Sequence, residues 1–315
     1  MAISDLLQEA PGFYRTPTQR PSLIEAQAWC ERLATTHYEN FHVASFFLPK
    51  TLRKHFFSVY AFCRTSDDLG DEVGSTEIAT RLLDAWRAML HQCFEHPEDS
   101  RHPVFVALRP TIVECDLPSQ PFDDLITAFE RDQTYTHHAS LSTLEEYSRY
   151  SANPVGRLVL LVSGYRDGKL MQLSDEICTG LQLANFYQDV TEDWEKGRRY
   201  LPQDAMLRFG VTEEQIASRT FDDRYRAMMK FLVDDARARL TLGERIVEFV
   251  DRDLAATLSL FAKGGHAILD AIVAQDYNTL RSRPVVTKGA KARLLVGAMT
   301  GKLKAMFLPR RQGTR

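Results

Sequence analysis

The stretch LQLANFYQDVTEDW, residues Leu181 to Trp194, reads as a helix with two kinds of surface. Gln182, Asn185, Asp189 and Asp193 follow at steps of three, four and four, which keeps their side chains on one stripe. Two amides and two carboxylates in a line, flanked by leucine, phenylalanine and tyrosine, make a poor core stripe. Alone, such a stripe is most often a solvated helix face. Carboxylates one turn apart also suit a hard divalent cation, which takes oxygen ligands and keeps part of its water. A second stripe tips the balance. Far earlier in the chain, Tyr60, Arg64, Asp67 and Asp71 step by four, three and four, with Asp68 alongside.

Two acidic stripes on separate helices, if they face each other, surround a space with at least four carboxylates. Unpaired, that charge would be costly in a cleft. Divalent cations and an anionic substrate relieve it, and the natural anion is a diphosphate. Mg²⁺ bridges carboxylate to phosphate oxygens and turns the diphosphate into a good leaving group. Arg64 on the first stripe, with Arg198 and Arg199 just beyond the second, supplies direct cationic contacts. Competing metal chemistry fits less well. A di-iron bundle needs two Glu-x-x-His motifs, and the chain offers only Glu39 to His42. There is no His-Glu-x-x-His, no phosphate-binding glycine loop and no G-x-G-x-x-G. No G-x-S-x-G supports a serine triad.

The rest of the chain is ordinary globular material: 315 residues, 44% hydrophobic and 26% charged. A net charge of -3 argues against a general nucleic-acid binder. The N-terminal residues lack the basic start and apolar core of a signal peptide, and no apolar run reaches the ~18 residues of a membrane span. Five scattered cysteines without a C-x-x-C pair argue against a disulfide framework or zinc site. These features place the chain in the cytoplasm.

Residues 1–21 are expected to form an irregular lead-in. A Ser22–Glu25 capping box opens a helix to about Thr36. Further helices are expected from Thr51 to near Gly70, from Thr76 to Glu95, and at 104–115 and 121–135. A Thr143–Glu146 capping box starts another, which Pro154 splits from 155–162. One continuous helix over 170–194 carries the opening stripe, and amphipathic patterns cover 222–250 and 252–275. Without strands, repeats or linkers, the expected architecture is a single all-α domain over 22–284. A basic amphipathic tail follows at 285–315, with eight Lys/Arg and no Asp or Glu. Such a tail either touches an anionic membrane surface peripherally at its inner face or docks as a solvated helix.

With both stripes in view, the chain resembles the squalene/phytoene synthase family of trans-isoprenyl diphosphate synthases. YAFCRTSDDLGDE is similar to the family's first aspartate-rich motif and LQLANFYQDVTEDWEKGRRYLP to its second. The likeness runs from about His37 to Arg283. Within the family it is most similar to the hopanoid-cluster HpnC branch, hydroxysqualene synthase, through HYENFHVASFFLP, YSRYSANPVGRLVL and LQLANFYQDV. The resemblance implies an isoprenoid-synthase-type bundle around a central cavity. It implies Mg²⁺ on Asp67, Asp68, Asp71, Asp189 and Asp193, with Tyr60, Arg64, Gln182 and Asn185 lining the site. His37 and Tyr277 match diphosphate-side positions. Where relatives often carry an Arg-Tyr pair, this chain has His137-His138.

The implied reaction loses diphosphate from presqualene diphosphate, opens a cyclopropylcarbinyl cation and captures water to give hydroxysqualene, with no protein nucleophile or nicotinamide. It calls for a charged mouth and a dry apolar tunnel with aromatic faces near the cation. Phe41, Phe56, Tyr60, Tyr147 and Phe186 are candidate lining residues. Ser151, Ala152 and Gly156 either widen the tunnel or let helices pack closely. Head-to-head condensation of two farnesyl diphosphates uses the same residues and stands as the alternative. A non-catalytic scaffold binding a membrane or a partner is the alternative from another class, against which the complete carboxylate set argues.

Overall fold

A computed structural model describes residues 12–36, 50–134, 137–290 and 292–293. Every regular element among them is helical, apart from an isolated bridge between His137 and Arg199. The all-α expectation is met. These residues divide into two compact units, one within Met1–Tyr135 together with Pro154–Arg166, the other within Thr136–Asn153 together with Asp167–Thr314.

The first unit contains α1 (Leu23–Thr36), α2 (Lys50–Asp71), α3 (Thr76–Glu95), α4 (Pro103–Glu114) and α5 (Gln120–Asp132). Its chain resumes along α7 (Asn153–Val162) from Pro154 on. Helix α2 is central to this unit and packs against α1, α3, α4 and α5. Its inner face explains why. Phe62 meets Phe122 edge-on at 4.9 Å and stacks on Trp86 at 5.7 Å between ring centroids. Trp86 donates its indole N–H to Ser66 Oγ at 2.8 Å. With Phe62, Ser66 and Leu69 turned inward, the helical period leaves Asp67 and Asp71 on the wetter side.

The second unit holds α6 (Leu141–Ser151), α8 (Gly168–Gln188), α9 (Val190–Glu195), α10 (Gln203–Phe209), α11 (Glu213–Ala217), α12 (Asp223–Gly243) and α13 (Arg252–Ala274). Helix α8 is its centre, packed against α12, α13 and α6. Close approach there depends on glycine. A Cβ on Gly180 would sit 2.8 Å from Leu240, and one on Gly243 would sit 2.8 Å from the backbone of both Ile177 and Leu173.

The sequence reading holds closely for α1, opened by the reciprocal Ser22–Glu25 hydrogen bonds, and for α3. It needs three corrections. The capping box of α6 is Ser140 with Thr143, not Thr143 with Glu146: Ser140 Oγ accepts from the Thr143 amide, and the Thr143 hydroxyl takes the Ser140 N–H. The helix expected over 170–194 breaks at Asp189, whose φ and ψ of -101° and 17° lie outside the helical range. Finally, α13 is long and apolar enough to meet the composition of a membrane span, with mean hydropathy 1.2 in an 18-residue window. In the second unit it is a packing helix, burying Leu254, Leu258, Leu269 and Ile272.

Candidate active site

The first stripe lies on α2. Tyr60 is half-buried, Asp67 is partly exposed and Asp71 is exposed. Arg64 brackets the stripe, with ion pairs to Asp67 and Glu72 at 3.2 Å each and a contact with Asp68. Asp68 is different from its neighbours. It is 1% exposed, and its carboxylate takes the Tyr14 hydroxyl proton as well as the Arg64 guanidinium. Burial first, then the charges of Glu72 and Asp71, raise its pKa to about 7. Both oxygens thus have protein partners, which suits Asp68 to holding the stripe in shape and leaves Asp67 and Asp71 as the accessible pair. Tyr14 has no local pattern to announce it: it lies 54 residues from Asp68.

The second stripe runs over the α8–α9 junction in the other unit. Gln182 is half-buried, Asn185 is exposed, and Asp189 and Asp193 sit on either side of the break. The kink does not separate them, because the Asp193 amide donates to Asp189 C=O at 2.9 Å. Burial and then the Asp189 charge push the Asp193 pKa up to about 7, partly countered by Arg198 and Lys196. A carboxylate whose proton affinity its neighbour raises marks an anion-rich setting that a divalent cation would relieve. Among the described residues, no three His, Cys, Asp or Glu side chains converge as a ready-made metal site. Accessible pairs of carboxylates fit Mg²⁺, which completes its shell with water and substrate phosphate oxygens.

Beside Asp193 opens a small, partly open pocket, with about 410 Å³ of empty space when the open solvent at its mouth is included. Its wall is aromatic. Phe186 and Tyr200 stack at 3.8 Å between centroids, His138 stacks on Tyr200 at 5.6 Å, and Tyr147 packs against Phe186 at 6.0 Å. The first of the paired histidines is exposed, its Nε2 3.7 Å from Glu213. The second is buried, and desolvation depresses its pKa to about 4. His138 therefore serves as a neutral aromatic wall at neutral pH. Arg198 and Arg199 line the same pocket, Arg199 lying over the Trp194 ring at 3.4 Å. A polar mouth with cations and an aromatic interior is the combination expected for a diphosphate head and a hydrocarbon body.

The remaining candidates fall in several places. Tyr277 follows α13, half-buried, in a left-handed backbone conformation with φ of 61°. Ala152 closes α6 in the second unit, whereas Gly156 is buried on α7 in the first. His37, Phe41 and most of the basic tail lie outside the described residues. Sequence reasoning missed Gln188 and Arg283. Arg283 grips Asp189 from 94 residues away, with Nε donating to Oδ1 at 2.6 Å and Nη2 to Oδ2 at 3.2 Å. Only folding brings them together.

Comparison with known proteins bears on the family and the fold. The family model described as squalene/phytoene synthase matches residues 34–290. The 15-cis-phytoene synthase of Synechococcus elongatus is 30% identical, over 88% of this chain and 94% of its own. Among solved structures, the squalene synthase HpnC of Alicyclobacillus acidocaldarius is 41% identical with a TM-score of 0.77, covering 87% of this chain and 99% of its own. A dehydrosqualene synthase solved with a ligand is 25% identical with a TM-score of 0.79, covering 90% and 98%.

Proposed function

This chain belongs to the squalene/phytoene synthase family, and on that premise we propose that it converts presqualene diphosphate and water to hydroxysqualene and diphosphate. The observation that carries the proposal is the 41% identity to an HpnC protein over nearly all of that protein's length. The family's chemistry is head-to-head synthesis on prenyl diphosphates, and both acidic stripes that such chemistry requires are present in this chain.

In this reading Asp67, Asp71, Asp189 and Asp193 hold divalent cations, with Asp68 keeping the first stripe in shape. When bound, Mg²⁺ neutralises the diphosphate and so makes it a better leaving group. Arg198, Tyr277 and His37 contact the diphosphate. Tyr60, Arg64, Gln182 and Asn185 line the polar end of the site. In the reaction the C–O bond to diphosphate breaks and the cyclopropane opens. Water then forms the new C–O bond and gives up one proton. Tyr147, Phe186, Tyr200 and neutral His138 offer ring faces that stabilise positive charge and exclude other water. Phe41, Ala152 and Gly156 complete the proposed channel. No step needs a nicotinamide.

The phytoene synthase relatives, and the name squalene synthase carried by the HpnC structure, favour a second reading: condensation of two farnesyl diphosphates to presqualene diphosphate, to dehydrosqualene or, with a hydride donor added, to squalene. Incubation with Mg²⁺ and either presqualene diphosphate or farnesyl diphosphate, followed by mass spectrometry of the products, separates them. Hydroxysqualene from presqualene diphosphate, abolished by EDTA, supports the first reading. Turnover of farnesyl diphosphate alone sinks it in favour of the second.

A further inference from the structure

The contact between Arg283 and Asp189 is built rather than incidental. After α13 the chain reverses through Asp276 and Tyr277, two successive residues with φ of 53° and 61°. The segment that follows is tied down along its length. Arg226 bonds Asp276 at 2.7 and 2.9 Å, the buried Thr279 hydroxyl meets Tyr225 Oη at 2.7 Å, and Leu280 is fully buried. Gln188, itself buried, fastens the far end twice: its Nε2 donates to Pro284 C=O at 2.6 Å, and its Oε1 accepts from Arg283 Nη2 at 3.1 Å. The guanidinium is thereby delivered to both oxygens of Asp189, with Glu192 3.4 Å away. Asp189 consequently spends no side-chain hydrogen bond on capping α9.

A cation that uses Asp189 must displace this guanidinium, and a cation alone would then leave two positive groups side by side. A diphosphate removes the conflict, because it accepts the released guanidinium in the same planar geometry as a carboxylate. Resting on the proposed metal–diphosphate role of Asp189, we infer that Arg283 is a positioning residue that couples cation binding at Asp189 to diphosphate binding. Arg283 holds the carboxylate until the anion arrives, so the second stripe takes up its metal together with the substrate head rather than before it. The coupling is reciprocal: metal tightens diphosphate by the factor by which diphosphate tightens metal.

The test is Mn²⁺ binding to the full chain, read by electron paramagnetic resonance with and without inorganic diphosphate. In the unaltered protein diphosphate should tighten Mn²⁺ about tenfold or more, within the usual span of coupling between sites. Arg283→Gln should bind Mn²⁺ alone at least as tightly as the unaltered protein and lose most of the diphosphate enhancement. Arg283→Lys, which keeps the charge without the fork, should fall between and serves if the glutamine variant fails to fold. Arg281→Gln, which removes an exposed cation nearby, should match the unaltered protein. Undiminished enhancement in Arg283→Gln overturns the coupling, and so does weaker Mn²⁺ binding by that variant without diphosphate. If Asp189→Asn leaves diphosphate-supported Mn²⁺ binding unchanged, the metal role of Asp189 fails, and the coupling with it.

Discussion

Among single residues, the neighbours Asp67 and Asp68 show how a single step along a helix, a rotation of about 100°, separates two tasks. Asp67 keeps a side chain 41% exposed, while that of Asp68 is 1% exposed and held between Tyr14 and Arg64. Asp67→Asn and Asp189→Asn should each lower turnover by roughly 10²–10³-fold, the scale of losing one preorganised charge contact at a reacting group. Their thermal midpoints should stay close to that of the unaltered protein. Asp68→Ala should instead lower stability by about 1–3 kcal/mol, because it leaves the buried Tyr14 hydroxyl without its acceptor, while Arg64 keeps Asp67 and Glu72. Melting curves beside initial rates check both. Buried histidines make a separate prediction. His102 donates from Nε2 to Tyr14 C=O at 3.1 Å and caps α4 by accepting the Val104 amide at Nδ1. Its burial drives the folded-state pKa from 6.5 down to about 3. Below about pH 6.5 the unfolded chain takes this proton and the folded chain does not. Stability is therefore full above that pH and falls as pH drops, by up to about 1.4 kcal/mol per pH unit from this group, down to pH near 3. Denaturant midpoints from pH 7.5 to 4.5 should show the decline, and His102→Asn, which keeps a cap acceptor, should flatten it.

At the level of helices, the second unit is organised by how closely α8, α12 and α13 approach. Gly243 ends α12 against α8, where an added methyl group would meet the Ile177 and Leu173 backbone as well as the Ile177 side chain, and the backbone cannot move aside. Gly243→Ala should cost about 1–3 kcal/mol, as overpacking in a filled core does. Gly264, within α13, has nothing within 4 Å of an added Cβ. There Gly264→Ala should raise stability by about 0.5–1 kcal/mol through helix propensity alone. Urea denaturation of the two variants gives the two signs. The kink at Asp189 belongs to this scale as well. A straight helix would keep the acidic stripe in register, and so does the observed break, because the Asp193 amide still reaches Asp189 C=O.

For the whole molecule, the family fixes the class of chemistry, and incubation with presqualene diphosphate or farnesyl diphosphate decides the product within that class. The basic tail bears on where the chemistry occurs. Truncation after Pro284 spares the Gln188 bond to Pro284 C=O, so it should leave the folded body intact. Sedimentation with anionic vesicles should drop in the truncated chain if residues 285–315 contact membrane, and equal sedimentation would discard that role. Much of the architecture was legible from sequence because helical periodicity and the Ser22–Glu25 cap are local signals, carried by residues within one turn of each other. The acidic stripes were legible for the same reason. Asp68 could not be told from Asp67 by spacing, since its burial depends on Tyr14, 54 positions away. The sequence by itself determined an all-α chain with two carboxylate-bearing helices and the family they belong to. Only the tertiary structure decided which carboxylates are accessible, that His138 is a neutral wall, and that Arg283 holds Asp189. Those are matters of solvent exclusion and of contacts between residues far apart in the chain, and no local period encodes either.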